Sequence, residues 1–209
     1  MSTTNIQNFP GDVQIRGTTF IKANTATDNI AIGSNAGLNQ QGASAVAIGK
    51  QAGSADQGAN SVAIGYNAGL NAQSDDSVAI GVAAGCASQG ANATAVGRAA
   101  GLNQQGAQSV AIGYLAGCAD QGDNAVAVGN SAGLNAQGNQ AVAVGYASGQ
   151  ASQSADATAI GRMAGSNAQG AQGTAMGAYA GQVSQGENSV AVGHLAGQTS
   201  QGVRSVAVG

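Results

Sequence analysis

Lysine, arginine, tyrosine and histidine gather in one column of this chain, and the carboxylates gather in others. The spacing is sixteen residues: with Asn29, Ala45, Ser61 and so on as position 1, position 6 holds Lys50, Tyr66, Arg98, Tyr114, Tyr146, Arg162 and His194. The acids of the repeats stand at positions 12, 15 and 16, as Asp56, Asp75, Asp76, Asp120, Asp123, Asp156 and Glu187. Arg204, at position 16, is the basic residue out of column. Guanidinium and ammonium groups beside aromatic rings can pair with and stack on a glycan or another anionic receptor. The position-6 column is therefore the candidate binding edge. Ordinary solvated bends, or rim salt bridges between neighbouring chains, explain the same residues, and their types alone leave these readings open.

Catalysis finds little to work with. His194 has no acidic partner in its own repeat. Cys86 and Cys118 share position 10 two repeats apart, which on turns stacked about 4.8 Å apart puts them about 10 Å from each other. Disulfides need about 7 Å or less between Cα atoms. No His or acidic column accompanies the cysteines, so no metal site is expected. The glycine-rich words lack the Lys-Ser/Thr end of a phosphate loop. They also lack the G-G-x-G-x-D run of calcium-binding rolls. The expectation is a protein without catalysis or cofactor.

Composition narrows the class further. The chain has 209 residues, 35 of them Gly, with 3% aromatic and 7% charged side chains. Such a mix can mark low-complexity sequence, but disordered tracts have no reason to hold Val and Ile at a fixed period. A net charge of −3 gives no footprint for nucleic acid, which calls for clustered Lys and Arg. No apolar run approaches the roughly 18 residues of a membrane span. Met1 to Gly11 lacks the basic-then-apolar pattern of a secretory signal.

The elements that must position the columns follow from the repeat, roughly [SA]-V-A-[IV]-G-x-x-A-G-x-x-x-Q-G-x-x, which recurs about eleven times from Asn29. A period this short gives one solenoid turn per repeat. Positions 1 to 5 alternate around β-branched residues such as Val62 and Ile64, which reads as a strand with positions 2 and 4 turned to the core. Helix is disfavoured because Gly recurs at positions 5 and 9, each costing about 1 kcal/mol in a helix interior. Those glycines read as corners, and Ala68 between them points inward.

Two further columns carry expectations. Position 13 is Gln throughout (Gln57, Gln73, Gln89, Gln105, Gln121, Gln137 and their equivalents), which predicts a ladder of amides bonded from turn to turn. Position 3 is always Ala, including Ala47, Ala63, Ala79, Ala95, Ala111, Ala127, Ala143 and Ala159. If positions 2 and 4 face inward, this alanine stripe faces outward, and it reads as a flat face buried against other copies of the chain.

The S-V-A-I-G strand and its small-residue turn, at 61–65, 77–81 and 109–113, resemble the YadA-like head repeats of trimeric autotransporter adhesins. Related β-roll repeats occur in viral tail-fibre and surface-fibre proteins. The resemblance covers about residues 29–209 and implies a left-handed parallel β-roll assembled as a homotrimer that projects from a surface and binds host ligands. The repeat here carries an added x-x-x-Q-G arm, and the family's coiled-coil stalk, membrane-anchor barrel and signal peptide have no counterpart in the sequence.

Residues 1–28 stand outside the repeat and read as two short strands around a turn, an N-terminal cap or attachment segment. The repeats end after the strand of a twelfth turn, an open edge suited to end-to-end stacking or to further chain. The expected fold is an all-β parallel solenoid of about eleven sixteen-residue turns, and the expected assembly is a homotrimer. The expected role is a structural or adhesive fibre on a virion surface or extracellular appendage, with a host glycan or receptor as partner and no nucleic-acid or membrane-inserted role. A purely structural end-to-end filament is the alternative, and an ice-binding solenoid ranks below it because Thr fills the strand only at Thr94, Thr158 and Thr174.

Overall fold

Three-residue strands alternate with tight corners along the whole repeat region. The computed structural model describes residues 13–15, 18–24 and 27–209. Near the N-terminus, β1 (Val13–Ile15) pairs antiparallel with β2 (Thr18–Asn24), which pairs antiparallel with β3 (Asn29–Ile32). From β3 onward every turn contributes one strand from positions 2–4 to a larger sheet, in parallel register, ending at Val206–Val208. Positions 11–13, beginning with β4 (Asn39–Gln41), build a second parallel sheet of ten strands. The chain is thus an all-β parallel solenoid, as the period predicts.

Stacking satisfies the corners as well as the strands. Gly53 N–H donates to the Ala68 carbonyl at 2.9 Å, Asn67 N–H to Lys50 at 3.1 Å, and Asp76 N–H to Ala59 at 2.9 Å, each reaching the adjacent turn. Buried backbone groups left unpaired are costly, and this coil pairs them along its axis rather than within a turn. Position 5 must be glycine for a related reason. Gly113 has φ of +130°, and a Cβ there would lie 2.5 Å from the Gly129 carbonyl oxygen of the next turn.

The interior reverses the expected faces. Ala111, Ala116 and Ala127 are fully buried, and buried alanines of positions 3 and 8 form the core from Ala31 to Ala143 and again from Ala159 to Ala191. Val and Ile of positions 2 and 4 face out instead, with Ile112 at 40% exposure. Width explains the reversal: a Cβ added at Gly85 would sit 3.2 Å from the Ala79 methyl, so the two walls leave no room for a branched side chain. Ala47, Ala63, Ala79, Ala95, Ala111, Ala127, Ala143 and Ala159 are therefore core residues of one chain, fully buried without any partner, and not an oligomer face.

The glutamines take the remaining interior space. Gln137 is 1% exposed and donates through Nε2 to the carbonyls of Val126 and Ala141, at 2.8 and 3.2 Å. Gln57, Gln73, Gln89, Gln105 and Gln121 make the same crossing bond to position 2 of their own turn. Amide-to-amide links of the expected ladder join Gln121 to Gln137 and Gln153 to Gln169, both at 3.2 Å. The column is chiefly a row of cross-braces inside each turn, with the ladder as its lesser part. Several of the Oε1 atoms, among them those of Gln57, Gln73 and Gln89, accept no hydrogen bond.

Candidate binding edge and oligomer face

The corner after each strand of the larger sheet lifts position 6 to the surface. Lys50, Arg98, Arg162 and His194 are exposed, as are Tyr66, Tyr114 and Tyr146, the last at 55%. Stacking of turns brings neighbouring members together. Lys50 Nζ lies 5.9 Å from the Tyr66 ring centre, and the Arg98 guanidinium lies 5.7 Å from that of Tyr114. Arg162 sits 5.2 Å from the ring of Tyr179, which in turn meets His194 edge-on at 6.3 Å.

Tyr179 belongs to position 7 and was missed by reading one column. Position 7 takes a left-handed backbone, φ +61° at Tyr179, which turns its side chain beside the position-6 corner; the sequence signal is a Tyr adjacent to that column. Cation–π contact of this kind contributes about 0.5–1 kcal/mol at exposed sites. It fixes the cation in place without neutralising it.

Asp75, Asp76, Asp123, Asp156 and Glu187 occupy turns that precede strands of the larger sheet, while Asp56 and Asp120 lie in strands of the smaller one. Asp75 Oδ1 accepts the Ala59 N–H at 2.7 Å, and Asp123 Oδ1 accepts the Ala107 N–H at 2.8 Å, each from the turn before. Asn139 does the same for Asp123 N–H at 3.1 Å. The larger sheet is therefore flanked by carboxylates on its leading edge and by cations and rings on its trailing edge.

Between those edges lies the outer face of Val, Thr, Ile and Met. Ile80, Ile112, Ile160 and Met176 are exposed along it, with half-buried Val78, Val110, Thr158 and Thr174 beside them. These two columns, apolar but for Thr94, Thr158 and Thr174, run along the coil, and contiguous exposed apolar surface marks interaction sites.

Other chemistry is thin. Cys86 and Cys118 are free and half-buried in the position-10 column, and burial pushes both thiols above their usual range. Among the described residues no group of three His, Cys, Asp or Glu is placed to hold a metal ion, and no helix is long and apolar enough to cross a membrane.

Each repeat thus contributes short strands to two parallel sheets joined by tight corners. The YadA head domain repeat matches the chain in two copies, at residues 41–68 and 121–148. The chain thus carries YadA-like head repeats. No curated protein and no solved structure matches it.

Proposed function

We propose that the chain is a rod segment of a trimeric surface fibre or appendage, structural and adhesive in role, carried on a virion or a cell. Its coil is left-handed in this reading, and residues 1–28 cap or attach its N-terminal end. The observation that carries the proposal is the outer apolar face. Ile80, Ile112 and Ile160 have no room inside the coil and stand exposed on one side of it. Burying a column of such side chains against two other copies supplies the apolar depth that an alanine interior lacks. The match to YadA head repeats supports the trimer and the adhesive role. Native mass spectrometry tests the assembly: three chain masses are expected, and a monomer at micromolar concentration overturns it.

Adhesion through the position-6 edge is the finer reading, favoured by the exposure of Tyr66, Tyr114 and Tyr146 beside cations. Sulfated and sialylated glycans on an array are the probes. Replacing Arg98, Tyr114 and Arg162 with Ala should abolish binding by a protein that remains assembled, and unchanged binding would sink this reading. A filament without a receptor is the alternative that such a result would favour.

A further inference from the structure

Each cation of the position-6 column has an acid 25 residues further on: Lys50 has Asp75, Arg98 has Asp123, and Arg162 has Glu187. Those three acids are also all the carboxylates at position 15 of the repeat. The cations are spaced by 48 and then 64 residues, so copying one block of fixed length does not produce the coincidence. A ring completes each set, since Tyr66, Tyr114 and Tyr179 brace the three cations from the following turn.

The acid belongs to the turn after its cation, but its charge does not stay there. Asp75 reaches back to the N–H of Ala59, in the turn that carries Lys50. Asp123 reaches back to Ala107, in the turn that carries Arg98. In these two sets cation and carboxylate thus stand at one level of the rod, on opposite edges of the larger sheet; Glu187 holds the same repeat position.

We propose that these residues are ion pairs between chains, Lys50 with Asp75, Arg98 with Asp123 and Arg162 with Glu187 of the neighbouring copy. The proposal rests on the trimeric reading above. Three parallel rods turned about a common axis, with their apolar faces inward, bring the trailing edge of each chain against the leading edge of the next at equal height. An antiparallel pair, related by a two-fold axis lying across the rods in the plane of the face, would set like edges together, cation on cation, and is disfavoured.

The pairs supply what the apolar face cannot. Val, Ile or Met stands on this face in every turn, so sliding one chain by a turn keeps nearly all apolar contacts, whereas it separates all three charge pairs. Exposed ion pairs add little affinity; here they fix register. The assignment gives three cations of the candidate receptor edge an alternative role at the seam between chains; Tyr146 stands outside any set, and His194 touches one through Tyr179.

Carbodiimide coupling of the native full chain tests this, because Lys50 and Lys22 are its only lysines. In trimers mixed from light and nitrogen-15 chains, the expected product is an amide between Lys50 and Asp75 joining a light peptide to a heavy one. Arg98→Lys should add a second mixed link, to Asp123. A trimer by native mass in which both links are absent, or join residues of one chain only, overturns the register while leaving the trimer standing. A monomer overturns the trimer and the pairing with it.

Discussion

The side-chain amide of Gln137 spans the inside of its turn to the carbonyl of Val126, 2.8 Å away. That bond ties the smaller sheet to the larger across a core otherwise made of methyl groups. Replacing Gln137 with Met keeps the volume and leaves the Val126 and Ala141 carbonyls without this donor. The expected cost is about 2–3 kcal/mol, read as a lower urea midpoint. Solenoid turns are coupled to their neighbours, so a midpoint equal to wild type would deny the brace its role.

Gln137→Glu makes the same point through pH. A carboxylate facing carbonyl oxygens and buried from water has a raised folded-state pKa. A raised pKa in the folded state means stability is greatest at low pH, where the protonated acid can donate, and is lost as pH rises through that value. Thermal midpoints of the variant measured from pH 4 to 8 should fall relative to wild type with increasing pH; a constant difference counts against the arrangement.

Adjacent residues of one strand should respond in opposite ways. Ala111 is fully buried and Ile112 is 40% exposed. Ala111→Val overpacks the coil and should cost about 1–3 kcal/mol. Ile112→Ser, combined with Ile80→Ser and Ile160→Ser, should leave circular dichroism of the coil intact while reducing the native mass to that of one chain. Loss of the fold in the serine variant, with Ala111→Val unaffected, would restore the opposite assignment of faces.

That pair also shows where the sequence was legible. The period, the strand at positions 2–4 and the glycine corners can be read from the two repeats at 61–92 alone. The direction of the strand cannot. Alternation says that Val62 and Ile64 share a face and Ala63 takes the other; which face is inside depends on the gap between the sheets. The usual preference for burying the larger apolar residue fails because the walls approach to alanine width. Gln73 was misplaced in part for the same reason, since a narrow coil brings carbonyls of its own turn nearer than the next amide. Tyr179 was missed because a left-handed residue at position 7 shares the corner with position 6.

Left-handed backbone without glycine offers room for improvement. Ala136 has φ of +53° at the exposed middle of the strand Asn135–Gln137, a conformation that Asn tolerates better than other side-chain-bearing residues. Ala136→Asn should stabilise the coil by about 0.5–1 kcal/mol. A urea midpoint that falls would contradict this.

Burial raises the thiol pKa of Cys86 and Cys118, so less reactive thiolate is present at pH 8 than in an exposed peptide. Alkylation by iodoacetamide should be slower in the folded protein than in urea, and the gap should narrow as pH rises toward 10. Diamide should produce no link between the two cysteines within a chain. Equal rates in folded and unfolded protein would contradict the burial.

Hydrogen bonds that join turn to turn lie along the length of the rod, as between Gly53 and Ala68. A pull between its ends loads those bonds head-on, so turns should peel away one after another instead of shearing together. Each released turn gives up about 4.8 Å of rod and pays out about 50 Å of slack chain. A tethered particle held by such a rod would meet a sawtooth of many small yields, a brake rather than a snap.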